Sequence, residues 1–345
     1  MEDFDIPLYN KTYIIQNKLD NIYINLNEIN KLINNPNLKL IIEFIKTILN
    51  EKMLENEDDI TLSPLEVLNK KTKKILIFSG GGIKGIAYIG ILKALTELKI
   101  IDNIHTFVGT SIGALILVLY IIGYTHEELY NFVIKFDFKK AKSINIFKFL
   151  ENYGLDDGNK FEYVINRLIK AKNIDPNISL EQLYKLTNKK IILTTVCLNS
   201  SEVCYLSHES HPELSLITAI RMSTSIPIYY KPVIYNNLIY IDGGCIDNYP
   251  IHLFRNNLDE VIGFYLVQSC ENTNKFNNLE EYIMRVIQCL MVGASFNSKK
   301  GFENYTLDID TTDVNFIDFW IETEKKDKLI NFAYNYTLNN ISKIN

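Results

Sequence analysis

The sequence predicts an α/β fold with a largely parallel sheet, and three observations carry that prediction. Short apolar, β-branched runs alternate along the chain with longer segments whose apolar residues recur at helical spacing. Two glycine-bearing strand-to-helix turns follow one another closely, at Ser79–Gly82 and Gly109–Gly113, as at the carboxyl edge of a parallel sheet. The 345 residues are 47% hydrophobic and 22% charged, enough apolar material for a large core.

Residues 1–70 read as a helical N-terminal extension. Leu40, Ile41, Phe44, Ile45, Ile48 and Leu49 share one face between Pro36 and Leu54, and Glu55 to Asp59 forms an acidic, solvated turn. The principal domain is expected over 71–345. Ile75 to Phe78 is a buried strand. Ile83 to Leu98 follows the glycine turn as a helix, with Ile83, Ile86, Ala87, Ile91, Leu95 and Leu98 on its apolar face. Thr106 to Val108 is the next strand, and Ala114 onward is apolar helix. Thr125 caps a helix reaching Phe138, and residues from about 139 to 176 form a cap-like insertion. Lys190–Val196 and Val203–Leu206 are strands, and Leu214–Ser223 is a helix ended by Ile226-Pro227. Leu238–Ile241 is a strand running into Asp242-Gly243-Gly244. Glu260–Val267 is another strand, Glu280–Phe296 a helix, Tyr305–Ile309 a strand and Glu324–Leu338 a helix.

Composition excludes several classes. A net charge of −5 with interspersed signs argues against a nucleic-acid partner and against a membrane held by charge alone. The first residues carry no secretory signal pattern. The apolar run around Ile112 to Ile122 is about half the length needed to span a bilayer, about 20 residues. Cys197, Cys204, Cys245, Cys270 and Cys289 are odd in number and scattered, which suits reduced thiols in a cytoplasmic protein. No metal-ligand spacing and no cofactor motif is expected to act.

Three motifs carry chemistry. Gly109-Thr110-Ser111-Ile112-Gly113 has the GxSxG form, in which a serine on a sharp strand-to-helix bend projects beyond the sheet. The alternative is a Ser111 that caps the helix. Gly80-Gly81-Gly82-Ile83-Lys84-Gly85 is a GxGxxG turn. As a dinucleotide fingerprint it needs an acidic residue closing the next strand, and Asp102 instead precedes that strand. As an oxyanion hole it offers unhindered backbone amides. Asp242-Gly243-Gly244 is either a plain turn or a general base whose pKa burial raises. His252 follows Asp242 and Asp247, so a Ser-His-Asp triad is possible on paper.

Taken in order, GGGIKG, GTSIG and DGG resemble the patatin-like phospholipase family. Arg221-Met222-Ser223-Thr224-Ser225-Ile226-Pro227 is similar to the family's small-residue and proline segment, and Asp242 to Pro250 to its D-G-G/A-x-x-x-N-x-P continuation. The resemblance covers roughly residues 73–255. It implies a three-layer α/β/α sandwich and ester hydrolysis by a Ser111–Asp242 dyad without a metal. Gly80, Gly81, Gly82, Ile83 and Gly85 would form the oxyanion loop; Gly109, Thr110, Ile112 and Gly113 would shape the nucleophile elbow; Gly243 and Gly244 would shape the aspartate turn. Lys84 stands where arginine is common in the family. The implied partner is a phospholipid or related lipid ester at a membrane or micelle surface, with a protein activator left open. Tyr229, Tyr230 and the stretch holding Phe147, Phe149, Leu150 and Tyr153 are candidates for an acyl channel or for ordinary core. The competing readings are a non-catalytic lipid- or protein-binding module on the same scaffold and a nucleotide-binding protein.

Overall fold

A computed structural model describes residues 72–144, 149–267, 276, 279–312, 314 and 321–344, together with 13–15 and 22–24. The chain forms two compact units, Met1–Thr61 and Leu62–Asn345. Of the first, two short strands are described, β1 (Tyr13–Ile15) and β2 (Ile22–Ile24), paired antiparallel. The helix expected between Pro36 and Leu54 lies outside the described residues.

The second unit is a three-layer α/β/α sandwich. Its sheet runs β12 (Thr306–Asp310), β11 (Val261–Val267), β3 (Ile75–Phe78), β4 (Thr106–Thr110) and β6 (Lys190–Cys197), with all four pairings parallel. β3 and β4 are buried along their whole length, because parallel strands are covered on both faces. Successive side chains alternate between those faces. Leu76, Phe78, Phe107 and Phe264 enter one core, while Ile75, Ile77, Val108 and Val261 enter another with Tyr249 and Ile251.

Most helices cover the first face: α1 (Ala87–Glu97), α2 (Ile112–Ile121), α3 (His126–Lys135), α7 (Leu216–Thr224) and α9 (Thr323–Asn340). α3 begins with a capping box in which Thr125 and Glu128 exchange side-chain and backbone hydrogen bonds. The segment expected as one helix from Ile83 starts instead as a 3₁₀ turn, Gly82–Ile86, and becomes α-helical at Ala87. Gly82 has φ 57°, which a side chain would strain.

Antiparallel strands close the far edge. β7 (Glu202–Leu206) lies along one side of β6. The other side is shared: β4 occupies it up to Thr110 opposite Thr194, and β10 (Leu238–Asp242) takes over with Asp242 opposite Thr195. The ends of β4 and β10 therefore meet head to head on consecutive residues of β6. A hairpin partner, β9 (Val233–Tyr235), pairs with β10.

The insertion after α3 supplies a single helical turn α4 (Phe149–Asn152), strand β5 (Gly154–Asp156) and helix α5 (Asn159–Ala171). β5 pairs in parallel with β8 (Ile228–Tyr230), which anchors the insertion beside α7. Helix α6 (Leu180–Thr187) leads into β6, and α8 (Leu279–Lys299) precedes β12. Among the described residues no helix is long and apolar enough to cross a membrane.

Candidate active site

Ser111 sits between β4 and α2 with φ 55° and ψ −124°, a conformation that costs a non-glycine residue about 1–3 kcal/mol. The bend is possible because its neighbours are small. A Cβ on Gly109 would lie 2.5 Å from the Ala114 nitrogen, and one on Gly113 would lie 2.6 Å from the Ser79 carbonyl oxygen. Backbone bonds hold the bend: the Ser111 amide donates to Ser223 Oγ at 3.0 Å, and Leu115 N–H donates to the Ser111 carbonyl at 3.1 Å.

The Ser111 hydroxyl makes no helix-capping bond. It donates instead to Asp242 Oδ2 at 2.5 Å. The head-to-head register on β6 produces that meeting, since it sets the residue after Thr110 against Asp242. Asp242 is fully buried, and its other oxygen accepts the Gly244 amide at 2.8 Å. Burial pushes its pKa up from the usual carboxylate range to about 7, with the bonds from Ser111 and Gly244 pulling the other way. Thr195 Oγ donates to the Ile241 carbonyl at 2.7 Å and steadies the strand just before the carboxylate.

The glycine turn stands beside Ser111. A Cβ on Gly80 would lie 2.4 Å from Asn248 Oδ1 and 3.2 Å from Ser111 Cβ. The Gly80 amide donates to the Asn248 carbonyl, and Asn248 Nδ2 donates back to the Gly80 carbonyl, both at 3.2 Å. The Gly80 N–H is thus directed to Asn248. Gly81 packs toward Leu266, and Gly85 closes against Ile112, so both fit the turn onto its neighbours. Gly82 and Ile83 open the 3₁₀ turn and line the same cavity as Ser111. Amides in a helix's first turn have no intrahelical partner and point outward. Lys84 is fully buried, not exposed to a head group.

His252 goes elsewhere. Its Nε2 lies 3.2 Å from the Tyr205 hydroxyl and its Nδ1 3.6 Å from Asp247, while Tyr205 also donates to Asp247. Among the described residues no group of three or more His, Cys, Asp or Glu side chains is placed to hold a metal ion.

An apolar cavity lined in part by Ser111 runs into the helical layer. Its walls are Ile112, Leu115, Ile116 and Leu119 of α2, Leu129, Phe132 and Val133 of α3, and Phe161, Val164, Ile165 and Leu168 of α5. Phe136, Phe138, Ala141, Thr224, Ile226 and Tyr230 add to the lining with Gly82, Ile83 and Ile86, and among the described residues no lining side chain is charged. Of the residues proposed from sequence for an acyl channel, Tyr230 lines it. Tyr229 is buried outside it, Tyr153 is exposed and Phe147 lies outside the described residues. α5 is held in place by the β5–β8 pairing and by buried Asp156, which accepts the Gly158 and Ser143 amides. Arg221 ties α7 to the same helix through Glu162 and the face of Phe161, and to β8 through the face of Tyr230.

A buried carboxylate with a raised pKa, hydrogen-bonded to a strained serine beside outward-pointing amides, suits nucleophilic acyl transfer. Sequence reasoning did not single out Ser223, Asn248 or Thr195 as supports. Ser223 and Asn248 nevertheless lie inside the quoted small-residue and aspartate motifs.

The sequence model of patatin-like phospholipases matches residues 76–255. The uncharacterized protein R571 of Acanthamoeba polyphaga mimivirus is 32% identical over 222 residues, covering 61% of this chain and 73% of its own length. A probable lipid hydrolase, 463L, of Invertebrate iridescent virus 6 is 32% identical over 192 residues, 54% of this chain and 64% of that protein. Among solved structures, VipD from Legionella pneumophila superposes with a TM-score of 0.51 at 17% identity, covering 78% of this chain and 66% of VipD, a likeness of fold.

Proposed function

The chain belongs to the patatin-like phospholipase family and is a lipid ester hydrolase, and from that premise we propose that it cleaves fatty-acyl esters of phospholipids or lysophospholipids through Ser111 and Asp242. The observation that carries the reading is the 2.5 Å bond from Ser111 to buried Asp242 at the mouth of an uncharged cavity.

With the acyl chain in that cavity, the ester carbonyl lies over Ser111. Asp242 takes the hydroxyl proton as Oγ attacks, and burial, which pushes its pKa up to about 7, makes it a stronger base than a solvated carboxylate. The amides of Gly82 and Ile83 hold the oxyanion, and loss of one such donor typically costs about 3 kcal/mol. Collapse of the intermediate expels the alcohol, which receives the proton from Asp242. Water then attacks the acyl-enzyme with Asp242 again as base, freeing the fatty acid. From Ser111 to Leu119 helix α2 rises about 12 Å, room for about ten carbon–carbon bonds of an extended chain.

A fluorophosphonate probe tests the nucleophile. Labelling at Ser111 that disappears in Ser111→Ala, together with fatty-acid release from phospholipid or lysophospholipid, is the expected result. Labelling that persists in Ser111→Ala overturns the assignment.

A further inference from the structure

Helix α8 presents apolar side chains on two faces whose centres lie about 120° apart. Its inner residues Ile283, Ile287 and Met291 form one cluster with Ile226, Tyr229 and Tyr230, and two of these, Ile226 and Tyr230, are walls of the acyl cavity. A Cβ on Gly244 would lie 2.7 Å from Met291 Cε, so the helix also rests on the turn that carries Asp242. The outer face is apolar as well: Tyr282 is 52%, Leu290 70% and Phe296 69% exposed, with Val286 between them. At 100° per residue these four lie within about 120° of one another. Cys289 is exposed on the same strip, and a Cβ on Gly293 would touch nothing. No charged residue occurs between Arg285 and Lys299. A water-facing helix surface normally carries charge, and a continuous exposed apolar strip marks a contact surface.

We propose that the outer face of α8 docks the enzyme on a lipid surface. The inference rests on the lipid-ester reading above and adds the place where substrate leaves the aggregate. The inner face touches cavity walls and the Asp242 turn, so the outer face of the same helix lies within one helix diameter of them, about 10–12 Å. An ester lifted from an aggregate seated there has a short path to Ser111. The chemistry of the strip fits that occupant: an uncharged middle suits acyl chains, and Arg285 and Lys300 at its ends suit head-group level. With the whole chain at −5, burial of apolar surface drives docking, not attraction to anionic lipid.

The test uses the full chain, phosphatidylcholine vesicles and a soluble short-chain ester. In the double variant Leu290→Glu, Phe296→Glu, vesicle binding by flotation falls at least about tenfold, as does the ratio of vesicle to soluble-ester hydrolysis. Ile234→Glu, exposed on edge strand β9, leaves binding in place, and so does raised salt. In the variant Gly293→Cys, whose added side chain would touch nothing, the introduced thiol is open to alkylation in buffer and becomes protected on vesicles. Unchanged flotation of the double variant overturns the proposal. So does a wild-type dimer that the variant dissolves, which makes the strip a contact between two copies. Protection of that introduced thiol without vesicles overturns it too, because another part of the chain or a partner then covers the strip. Flotation is read without turnover, so a wild type that binds vesicles but cleaves no ester refutes the reaction and leaves the docking face standing.

Discussion

The turn carrying Ser111 and the turn carrying Asp242 meet on one side of β6, yet each is under a different kind of stress. At Ser111 the stress is in the backbone, with φ at 55° on a residue that has a side chain. At Asp242 the backbone is ordinary, φ −53°, and the stress is electrostatic: a fully buried carboxyl with no cation bonded to it among the described contacts. One turn is strained by geometry and the other by charge, and the Ser111–Asp242 hydrogen bond couples them.

The largest expected effects fall on catalysis. Ser111→Gly removes the proposed nucleophile and is expected to lower acyl release at least about 10³-fold. Because glycine accepts a positive φ, the same variant is more stable than wild type by about 1 kcal/mol below about pH 5, where Asp242 is protonated, read by thermal melts. The gain shrinks as pH rises, because the ionised carboxylate has lost the Ser111 hydroxyl.

Asp242→Asn also lowers turnover at least about 10³-fold, but its effect on stability depends on pH. In the wild type the folded pKa of about 7 lies above the usual 3.8. The native carboxyl therefore binds its proton more tightly than the unfolded one. That contribution is fully present below about pH 4 and is lost as pH rises through 7. The variant lacks this loss, so its melting temperature gains on the wild type between pH 5 and pH 8, by an amount equivalent to roughly 3 kcal/mol at most. An equal gain at both pH values would remove the electrostatic half of the comparison. In the wild type, kcat/KM climbs through a single limb near pH 7 as Asp242 ionises.

The smallest effect is expected from His252→Ala, since that ring is engaged with Tyr205 and Asp247 and no hydrogen bond joins it to the dyad. Acyl release changes by less than about threefold, a factor that surface substitutions commonly produce. A loss as large as that of Ser111→Ala would restore a triad.

Local chemistry was readable from the chain to different degrees. The strand-turn-helix around Ser111 was legible because small residues and a strong apolar helix are contiguous there. The start at Ile83 was misread as α-helix because Gly82 and Gly85 make a tight 3₁₀ entry while leaving the apolar spacing intact. The acyl cavity was scarcely visible. Its walls come from the inner stripes of α2, α3 and α5, and an apolar stripe facing a cavity looks the same in sequence as one facing solid core. Ser223 and Asn248 were hidden for a similar reason, since their bonds reach Ser111 and Gly80, far away in sequence.

By itself the sequence determined the turns, because their steric demands are met within a few neighbouring residues. Small side chains at Gly109 and Gly113 permit the bend, and the Asp-Gly-Gly run ends its strand. Only the tertiary structure decided that the two turns meet. Ser111 and Asp242 lie far apart in the chain, and their contact depends on β4 and β10 ending on adjacent residues of β6, Thr194 and Thr195. A shift of one residue in either register would point the side chains to opposite faces of the sheet, and the closing of the whole sheet fixes that register.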